Sequence, residues 1–215
     1  MKVEIWTDIV CPFCYIGKTV FQRFLSELPA GEPIEVINRS YELQPGASKT
    51  SSESTVEHLS QKYGISMEEA KEKIAGVNRM AEANGLAMNA SDAVSANTYD
   101  LHRLVHLARA KGKEEEMLSA LFTAHFVHNV NLNERNEQLK VATEAGISVE
   151  DAARVLDSKA YSDEVDQDKK KARDLRVSGV PYFLFNEKYY VSGAQPKEVF
   201  HQVYRQLKTE EQEEN

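Results

Sequence analysis

Cysteine is scarce in this sequence of 215 residues, which contains only Cys11 and Cys14. A small secreted protein held together by disulfides would have more cysteines, spread along the chain. A close pair in a reducing compartment is more typical of redox or metal chemistry than of a structural cross-link. The scarcity therefore argues against a disulfide-rich scaffold and directs attention to the one pair that is present.

The sequence also lacks an excess of positive charge and any long hydrophobic run. Asp and Glu number 34 against 26 Lys and Arg, which gives a formal net charge of −8. Without a basic stripe, nucleic acid and anionic membranes are poor partners, and no apolar run approaches the length of a membrane span. The first residues do not have the pattern of a signal peptide, so we expect a cytoplasmic protein.

The first 45 residues predict a strand, a helix and a second strand. Residues 2–10 alternate and are rich in β-branched side chains, which is typical of a strand. From residue 12 to about 28, apolar residues recur every three or four positions, as in an amphipathic helix. A second strand over 34–43 then completes a βαβ unit.

Residues 51–171 have helical periodicity and no convincing strand. Short breaks, most of them containing glycine, separate the helices. Helices are predicted at 53–64, 67–84, 97–111, 114–128, 134–145 and 149–158, with another that ends near 175.

Strand character returns near the C-terminus. Residues 181–185 and 188–192 predict the two strands of a β-hairpin, with a turn between them. A helix follows from about 196 to 207, and the acidic run over 210–214 predicts a frayed, solvated tail.

A βαβ unit at the front and a ββα unit at the back together make the thioredoxin arrangement. The sequence therefore predicts an α/β protein with a thioredoxin-like core and a large all-helical insertion. We expect the core to comprise residues 1–50 and 172–208, the insertion 51–171, and the acidic tail 209–215.

The two cysteines lie where the first strand passes into the first helix. Proline is favoured at the first helical position because its missing N–H would be unpaired there, so we expect Pro12 at that position and Cys11 at the N-cap. The unpaired N–H groups of Phe13 and Cys14 and the helix dipole would stabilise a thiolate at Cys11. Cys14, one turn further on, can resolve a mixed disulfide. The motif predicts a thiol–disulfide oxidoreductase.

A zinc site is the structural alternative for the pair. Zinc normally takes four ligands, and the sequence has no second C-x-x-C motif. The helical spacings of His102/His106 and His125/His128 suit ligands, but we interpret both pairs as ordinary helix-face residues. We therefore expect no metal.

A proline also opens the predicted hairpin, in the segment Val177-Ser178-Gly179-Val180-Pro181. Proline is tolerated at the start of a strand, where no ladder donor is needed. We expect a cis bond between Val180 and Pro181, because proteins keep the cis form only where the geometry demands it.

Three motifs give the chain a specific resemblance. They are E-I-W-T-D-I-V-C-P-F-C-Y-I-G over 4–17, V-S-G-V-P-Y-F-L-F over 177–185 and Y-V-S-G-A-Q over 190–195, with a looser match over 97–104. In these motifs the chain resembles the DsbA-like thioredoxin superfamily and, within it, the cytoplasmic FrnE-like group.

The resemblance implies roles for individual residues. Cys11 would attack and Cys14 resolve, Pro181 would face the pair, and the backbone of Val180 would pair with an extended substrate. Pro12 and Phe13 would help to position that substrate. Periplasmic DsbA enzymes usually have Pro-His between their cysteines, so the Pro-Phe of this chain does not imply their strongly oxidising potential.

The resemblance suggests further residues around the substrate. Asn97 and His102 would line the groove, and the isolated Arg39 and Arg103 are candidates to bind a glutathione carboxylate. No cofactor is expected, and glutathione is a candidate co-substrate. The partner would be a disulfide-containing protein or a small thiol.

Two other functions stay open at this point. Related 2-hydroxychromene-2-carboxylate isomerases and kappa-class glutathione transferases use glutathione and usually carry a single Ser where Cys11 stands. The retention of both cysteines favours the oxidoreductase. A non-enzymatic protein that holds an extended peptide beside Pro181 would not need either cysteine.

Overall fold

The computed structural model describes residues 1–213, which form four strands and nine helices. Their order is β1 (Lys2–Thr7), α1 (Pro12–Ser26), β2 (Glu35–Ser40), α2 (Thr55–Tyr63), α3 (Met67–Ala83), α4 (Tyr99–Ala110), α5 (Glu114–Phe126), α6 (Arg135–Glu144), α7 (Val149–Leu156), α8 (Ser162–Asp174), β3 (Tyr182–Phe185), β4 (Tyr189–Ser192) and α9 (Lys197–Glu213).

The strands form one mixed sheet with the order β2-β1-β3-β4. Strand β1 is parallel to β2 and antiparallel to β3, and β4 is antiparallel to β3. A helix connects the parallel pair, as such a crossover requires. The predicted thioredoxin-like core with a large helical insertion is confirmed, since seven helices lie between β2 and β3.

Helices cover both faces of the sheet. Helices α1 and α9 pack on one face, where Phe21, Phe24 and Phe200 join the strand residues Phe183 and Phe185 in one buried aromatic cluster. The insertion packs on the other face, around the fully buried Trp6. Strand β1 is consequently buried along all but its first residue, as expected for a central strand covered on both sides.

A buried polar cluster joins the insertion to the sheet. Asp168 of α8 accepts hydrogen bonds from Arg39 Nη1 at 2.8 Å and from the Ser40 N–H at 2.9 Å, both on β2. It also lies 3.1 Å from His106 Nε2 of α4. Arg39 pairs in addition with the buried Glu4 of β1 at 2.6 Å. The cluster therefore fixes two insertion helices against the two parallel strands.

Three predicted boundaries are wrong. Strand β2 ends at Ser40 instead of residue 43, because its partner β1 ends opposite it, at Thr7. Strand β1 ends at Thr7 instead of residue 10, because the chain turns at once and the Cys11 N–H donates to the carbonyl of Asp8 at 3.1 Å. Helix α9 does not end near Leu207 but continues to Glu213, where the acidic run was expected to fray. Glu210 accepts hydrogen bonds there from Tyr189 and from Gln206. The rest of the predicted tail, residues 214–215, lies outside the described residues.

Candidate active site at the start of the first helix

Cys11 occupies the N-cap of α1 and Pro12 its first position, as the sequence predicts. Both cysteines are buried free thiols, and Cys11 is 4% exposed. We expected a Cys11 thiolate to accept a hydrogen bond from an N–H of the first turn. In the structure the Cys11 sulfur accepts no such bond. As a thiol it instead donates to the carbonyl of Val180 at 3.5 Å. The first helix is thereby linked to the loop before β3.

Cys14 lies behind Cys11 and is 1% exposed. Its sulfur accepts a hydrogen bond from the Asp8 N–H at 3.5 Å. Burial raises the pKa of the Cys14 thiol well above its ordinary value, and the neighbouring Cys11 sulfur raises it further. Cys14 is therefore held as a neutral thiol and needs a proton acceptor before it can act as a nucleophile.

The loop before β3 approaches α1 closely. The Val180–Pro181 bond is cis, as predicted. A Cβ atom at Gly17 of α1 would lie 2.8 Å from Cγ of Pro181, so only glycine leaves room for the ring. The N–H of Val180 has no hydrogen-bond partner within residues 1–213. The loop thus presents one free backbone donor beside the cysteines.

Asp8 is a fully buried carboxylate next to the pair. Its Oδ2 accepts the N–H of Leu43 at 2.7 Å, whereas its Oδ1 has no hydrogen-bond partner in the described chain. The nearest cation-forming group is His102, whose Nε2 lies 3.6 Å from Oδ1 but donates to the carbonyl of Tyr41 at 2.9 Å. Asp8 therefore keeps one oxygen available for a proton.

A cavity of about 680 Å³ opens beside the cysteines. Four residues predicted for the site line it, namely Cys11, Pro12, Phe13 and Val180. The remaining wall comes from α2, α3, the segments that follow β2 and α3, and His125 of α5. Capping boxes of Ser54 with Glu57 and of Ser66 with Glu69 fix the starts of α2 and α3. The cavity is thus built between the core and the insertion.

Four other suggested residues lie outside this cavity and make contacts within the fold. Asn97 contacts a separate pocket of about 150 Å³ and donates to the carbonyl of Ala47 at 2.7 Å. His102 is not in the cavity wall. Arg39 is held by Glu4 and Asp168, and Arg103 donates to the carbonyls of residues 158 and 160. These polar groups are paired within the chain, and none of the four residues lines the cavity beside Cys11. Their contact with substrate or glutathione stays a prediction.

Three residues of this region were not predicted from the sequence. A carboxylate in an otherwise apolar strand end was the available signal for Asp8, and a glycine inside a helical pattern was the signal for Gly17. His125 gave none, because its spacing only suggested a helix face.

Within residues 1–213, no group of three or more His, Cys, Asp or Glu residues is arranged to hold a metal ion, and none of the helices is long and apolar enough to cross a membrane.

Comparison with known proteins gives one consistent family. The model of the DSBA-like thioredoxin domain matches residues 2–205. A probable DsbA oxidoreductase from Streptomyces coelicolor is 40% identical, with a TM-score of 0.92 over 96% of this chain and 89% of that one.

Two further structures share the fold at low identity. A 2-hydroxychromene-2-carboxylate isomerase superimposes with a TM-score of 0.72 and 12% identity over 100% of both chains. The cytosolic disulfide reductase DsbM from Pseudomonas aeruginosa gives 0.66 and 16% over 97% of this chain and 100% of that one.

Proposed function

Because the chain belongs to the family of DSBA-like thioredoxin domains, we propose that it is a thiol–disulfide oxidoreductase whose reactive groups are Cys11 and Cys14. One observation carries the proposal. Cys11 lines a cavity at the N-terminus of α1, whereas Cys14 is buried behind it against Asp8. The Cys11 sulfur can react with a substrate in the cavity, whereas the Cys14 sulfur can react only with Cys11.

The proposed reaction has two exchanges. The Cys11 thiolate attacks one sulfur of a substrate disulfide, a mixed disulfide forms, and the other substrate sulfur leaves as a thiolate that takes up a proton. Cys14, after losing its proton, attacks the Cys11 sulfur and releases the remaining substrate thiol. Two electrons pass from the protein dithiol to the substrate, and the protein is left with a Cys11–Cys14 disulfide. The reverse sequence oxidises a dithiol.

The loop at Pro181 would position the substrate. The unpaired N–H of Val180 can donate to the backbone of an extended segment, as in β-augmentation. Pro12 and Phe13 form the adjoining cavity wall, and Phe13 is 38% exposed. These contacts would hold the substrate sulfur in front of Cys11. A protein disulfide or a small thiol, including glutathione, would fit this arrangement.

We place the protein in the cytoplasm, within the FrnE-like group. The fold shared with a cytosolic disulfide reductase supports this compartment. A reducing compartment favours a catalytic pair over bulk disulfide formation.

Equilibration with glutathione buffers of stepped potential tests the proposal. Mass spectrometry of acid-quenched protein should show a dithiol that converts to an intramolecular Cys11–Cys14 disulfide in one two-electron transition. We expect its midpoint between those of thioredoxin and DsbA, roughly −270 to −120 mV. If the disulfide never forms at any ratio, the dithiol mechanism is wrong.

A glutathione-dependent isomerase is the second candidate, and the size of the cavity favours it. Such an enzyme needs a site for an organic substrate beside glutathione but needs no second cysteine. It would therefore tolerate Cys14→Ser and would also work with Ser in place of Cys11. An oxidoreductase loses turnover in both variants, so the two functions give opposite results.

A further inference from the structure

The cavity beside Cys11 has an apolar wall for most of its surface. Helices α2 and α3, the turn between them and the segment after α3 supply Leu59, Ile65, Ile74, Val77 and Ala90, and α1 adds Phe13. Peptide groups placed against such a wall lose hydrogen bonds to water without replacement, which disfavours their binding. A wholly polar ligand such as glutathione is therefore a poor match to the depth of this cavity.

One fully buried side chain in the wall has a polar atom without a partner in the described residues. His125 is 1% exposed, and its Nδ1 has no hydrogen-bond partner in the described residues. Burial lowers the pKa of His125 to about 4, against the opposing charge of Asp8, so the ring is neutral near pH 7. A neutral imidazole offers one donor and one acceptor. By contrast, His58 in the same wall is paired with Glu53 at 3.1 Å.

The mouth of the cavity carries two lysines. Lys62 of α2 and Lys73 of α3 are exposed and belong to its lining. Neither ammonium group lies within 4 Å of a carboxylate of residues 1–213, whereas most lysines of this acidic chain are paired. Lys73 is near enough to Glu69 to lower its pKa, and Lys62 lies 5.7 Å from the centroid of the Tyr63 ring. Because neither cation has a direct ion pair, the mouth of this apolar cavity favours a ligand that carries a negative charge.

From these features we infer that the substrate is a small organic disulfide or thiol with an apolar, preferably aromatic, body and an anionic group. The body fills the cavity between α2, α3 and Phe13, a polar atom contacts His125, and the anion lies near Lys62 and Lys73. The sulfur then faces Cys11. This inference rests on the proposed function for the sulfur, while the binding site itself needs no redox step.

Binding is measured first without any thiol. The Cys11→Ser/Cys14→Ser protein is titrated with 1-anilinonaphthalene-8-sulfonate, an aromatic anion, and its fluorescence is followed. We expect a single site. Lys62→Glu/Lys73→Glu should weaken binding at least about tenfold, which corresponds to about 1.4 kcal/mol. The matched Lys140→Glu/Lys170→Glu protein has the same net charge, with both changes on exposed residues outside the cavity wall, and should bind normally.

Two further variants test the interior of the site. Val77→Phe adds a ring to the half-buried wall residue of α3 and should abolish binding, whereas Val149→Phe on the exposed surface of α7 should not. His125→Leu should weaken binding, with partial recovery in His125→Gln. Circular dichroism and a urea transition confirm that each variant is folded. The inference is overturned if folded variants of both kinds, at the mouth and in the interior, bind the probe as tightly as the parent.

Reaction rates then separate this inference from the proposed function. The reduced protein with both cysteines is mixed with 5,5′-dithiobis(2-nitrobenzoate), an aromatic dianion, or with glutathione disulfide. Val77→Phe should lower the rate with the aromatic disulfide at least about tenfold more than the rate with glutathione disulfide. An equal effect on both contradicts the site. Probe binding without any dithiol reaction contradicts the redox function and leaves the site intact.

Discussion

At the scale of single residues, the site depends on how closely three segments approach one another. The sulfur of Cys11 contacts the Val180 carbonyl, Cys14 contacts the backbone of Asp8, and Gly17 leaves room for Pro181. Each contact joins α1 to a segment that is adjacent in the fold and, for Val180 and Pro181, remote in sequence. Changes of a single carbon or oxygen atom should therefore alter the chemistry without altering the fold.

Gly17→Ala tests the contact between α1 and the Pro181 loop. Alanine stabilises a helix interior by about 1 kcal/mol relative to glycine, yet its Cβ would lie 2.8 Å from the Pro181 ring. We expect a lower melting temperature and slower reaction at Cys11. Gly76→Ala in α3 is the matched control, since its Cβ would meet only Arg79, at 3.8 Å, and it should raise stability. Equal stabilisation by both changes would contradict the account.

Asp8→Asn tests how Cys14 loses its proton. The buried carboxylate has an oxygen without a partner in the described residues. The backbone N–H of the same residue contacts the thiol whose pKa is raised by burial. A positioned base contributes about 10²–10⁴-fold to such a step. We expect the mixed disulfide at Cys11 to form at the normal rate but to resolve at least about 10²-fold more slowly, as followed by acid quench and mass spectrometry. Unchanged resolution would exclude Asp8 as the acceptor.

The sequence predicts the cysteine pair and the cis Pro181 because each leaves a local signal, a C-x-x-C motif at a strand–helix junction and a proline before a hairpin. Asp8, Gly17 and His125 leave weaker signals or none. Their importance arises from a neighbour 6 to 164 positions away in the chain, such as the Pro181 ring above Gly17. Such approaches are a property of the folded chain, and hydrophobic periodicity carries no information about them.

At the scale of elements, a buried carboxylate holds the insertion helices to the sheet. Asp168→Asn removes the charge that pairs with Arg39 and accepts from His106 and the Ser40 N–H. Removing one partner of a buried ion pair costs about 3–5 kcal/mol. Urea denaturation should therefore show a large decrease in the free energy of unfolding. Asp166→Asn on the exposed side of the same helix, where Lys169 lies 3.9 Å away, should cost about 1 kcal/mol or less. Equal effects of the two would contradict this role.

Element boundaries show where periodicity suffices and where it does not. The helices of the insertion lie within two residues of their predicted limits in most cases, because glycines and capping serines mark their ends. Helix α9 extends beyond its predicted end because Glu210 contacts Tyr189 of the hairpin. The acidic composition of this run predicted a tail, but a tertiary contact that composition does not encode keeps it helical.

At the scale of the whole molecule, stability should fall in two steps as the pH decreases. His125 has a folded pKa of about 4 against an ordinary value of about 6.5, so the unfolded chain takes up a proton first. Stability is lost between these values, with a slope of up to about 1.4 kcal/mol per pH unit. In His125→Leu, the midpoint of urea denaturation should depend less on pH over this range. A wild-type slope that persists in the variant would contradict the assignment.

The second step should lie at lower pH. Burial by itself raises the pKa of Asp168, but hydrogen bonds from His106, the Ser40 N–H and Arg39 outweigh it and leave the pKa below its ordinary value. The pKa of Glu4 is likewise lowered, by Lys171 and Arg39. A depressed folded pKa gives stability that is present above the unfolded value of about 4 and is lost as the pH falls through the folded one. As the pH falls through this range, the free energy of unfolding from urea denaturation should decrease less in Asp168→Asn than in the wild type.

The most direct test of the central claim is the asymmetry of trapping at the two cysteines. Cells that express Cys14→Ser or Cys11→Ser are quenched in acid, and disulfide-linked adducts are identified by mass spectrometry. We expect adducts on Cys11 of the first variant, because that sulfur lines the cavity and its mixed disulfide can no longer be resolved, and few adducts on the buried Cys14 of the second. Adducts of equal abundance on both, or on Cys14 alone, would contradict it.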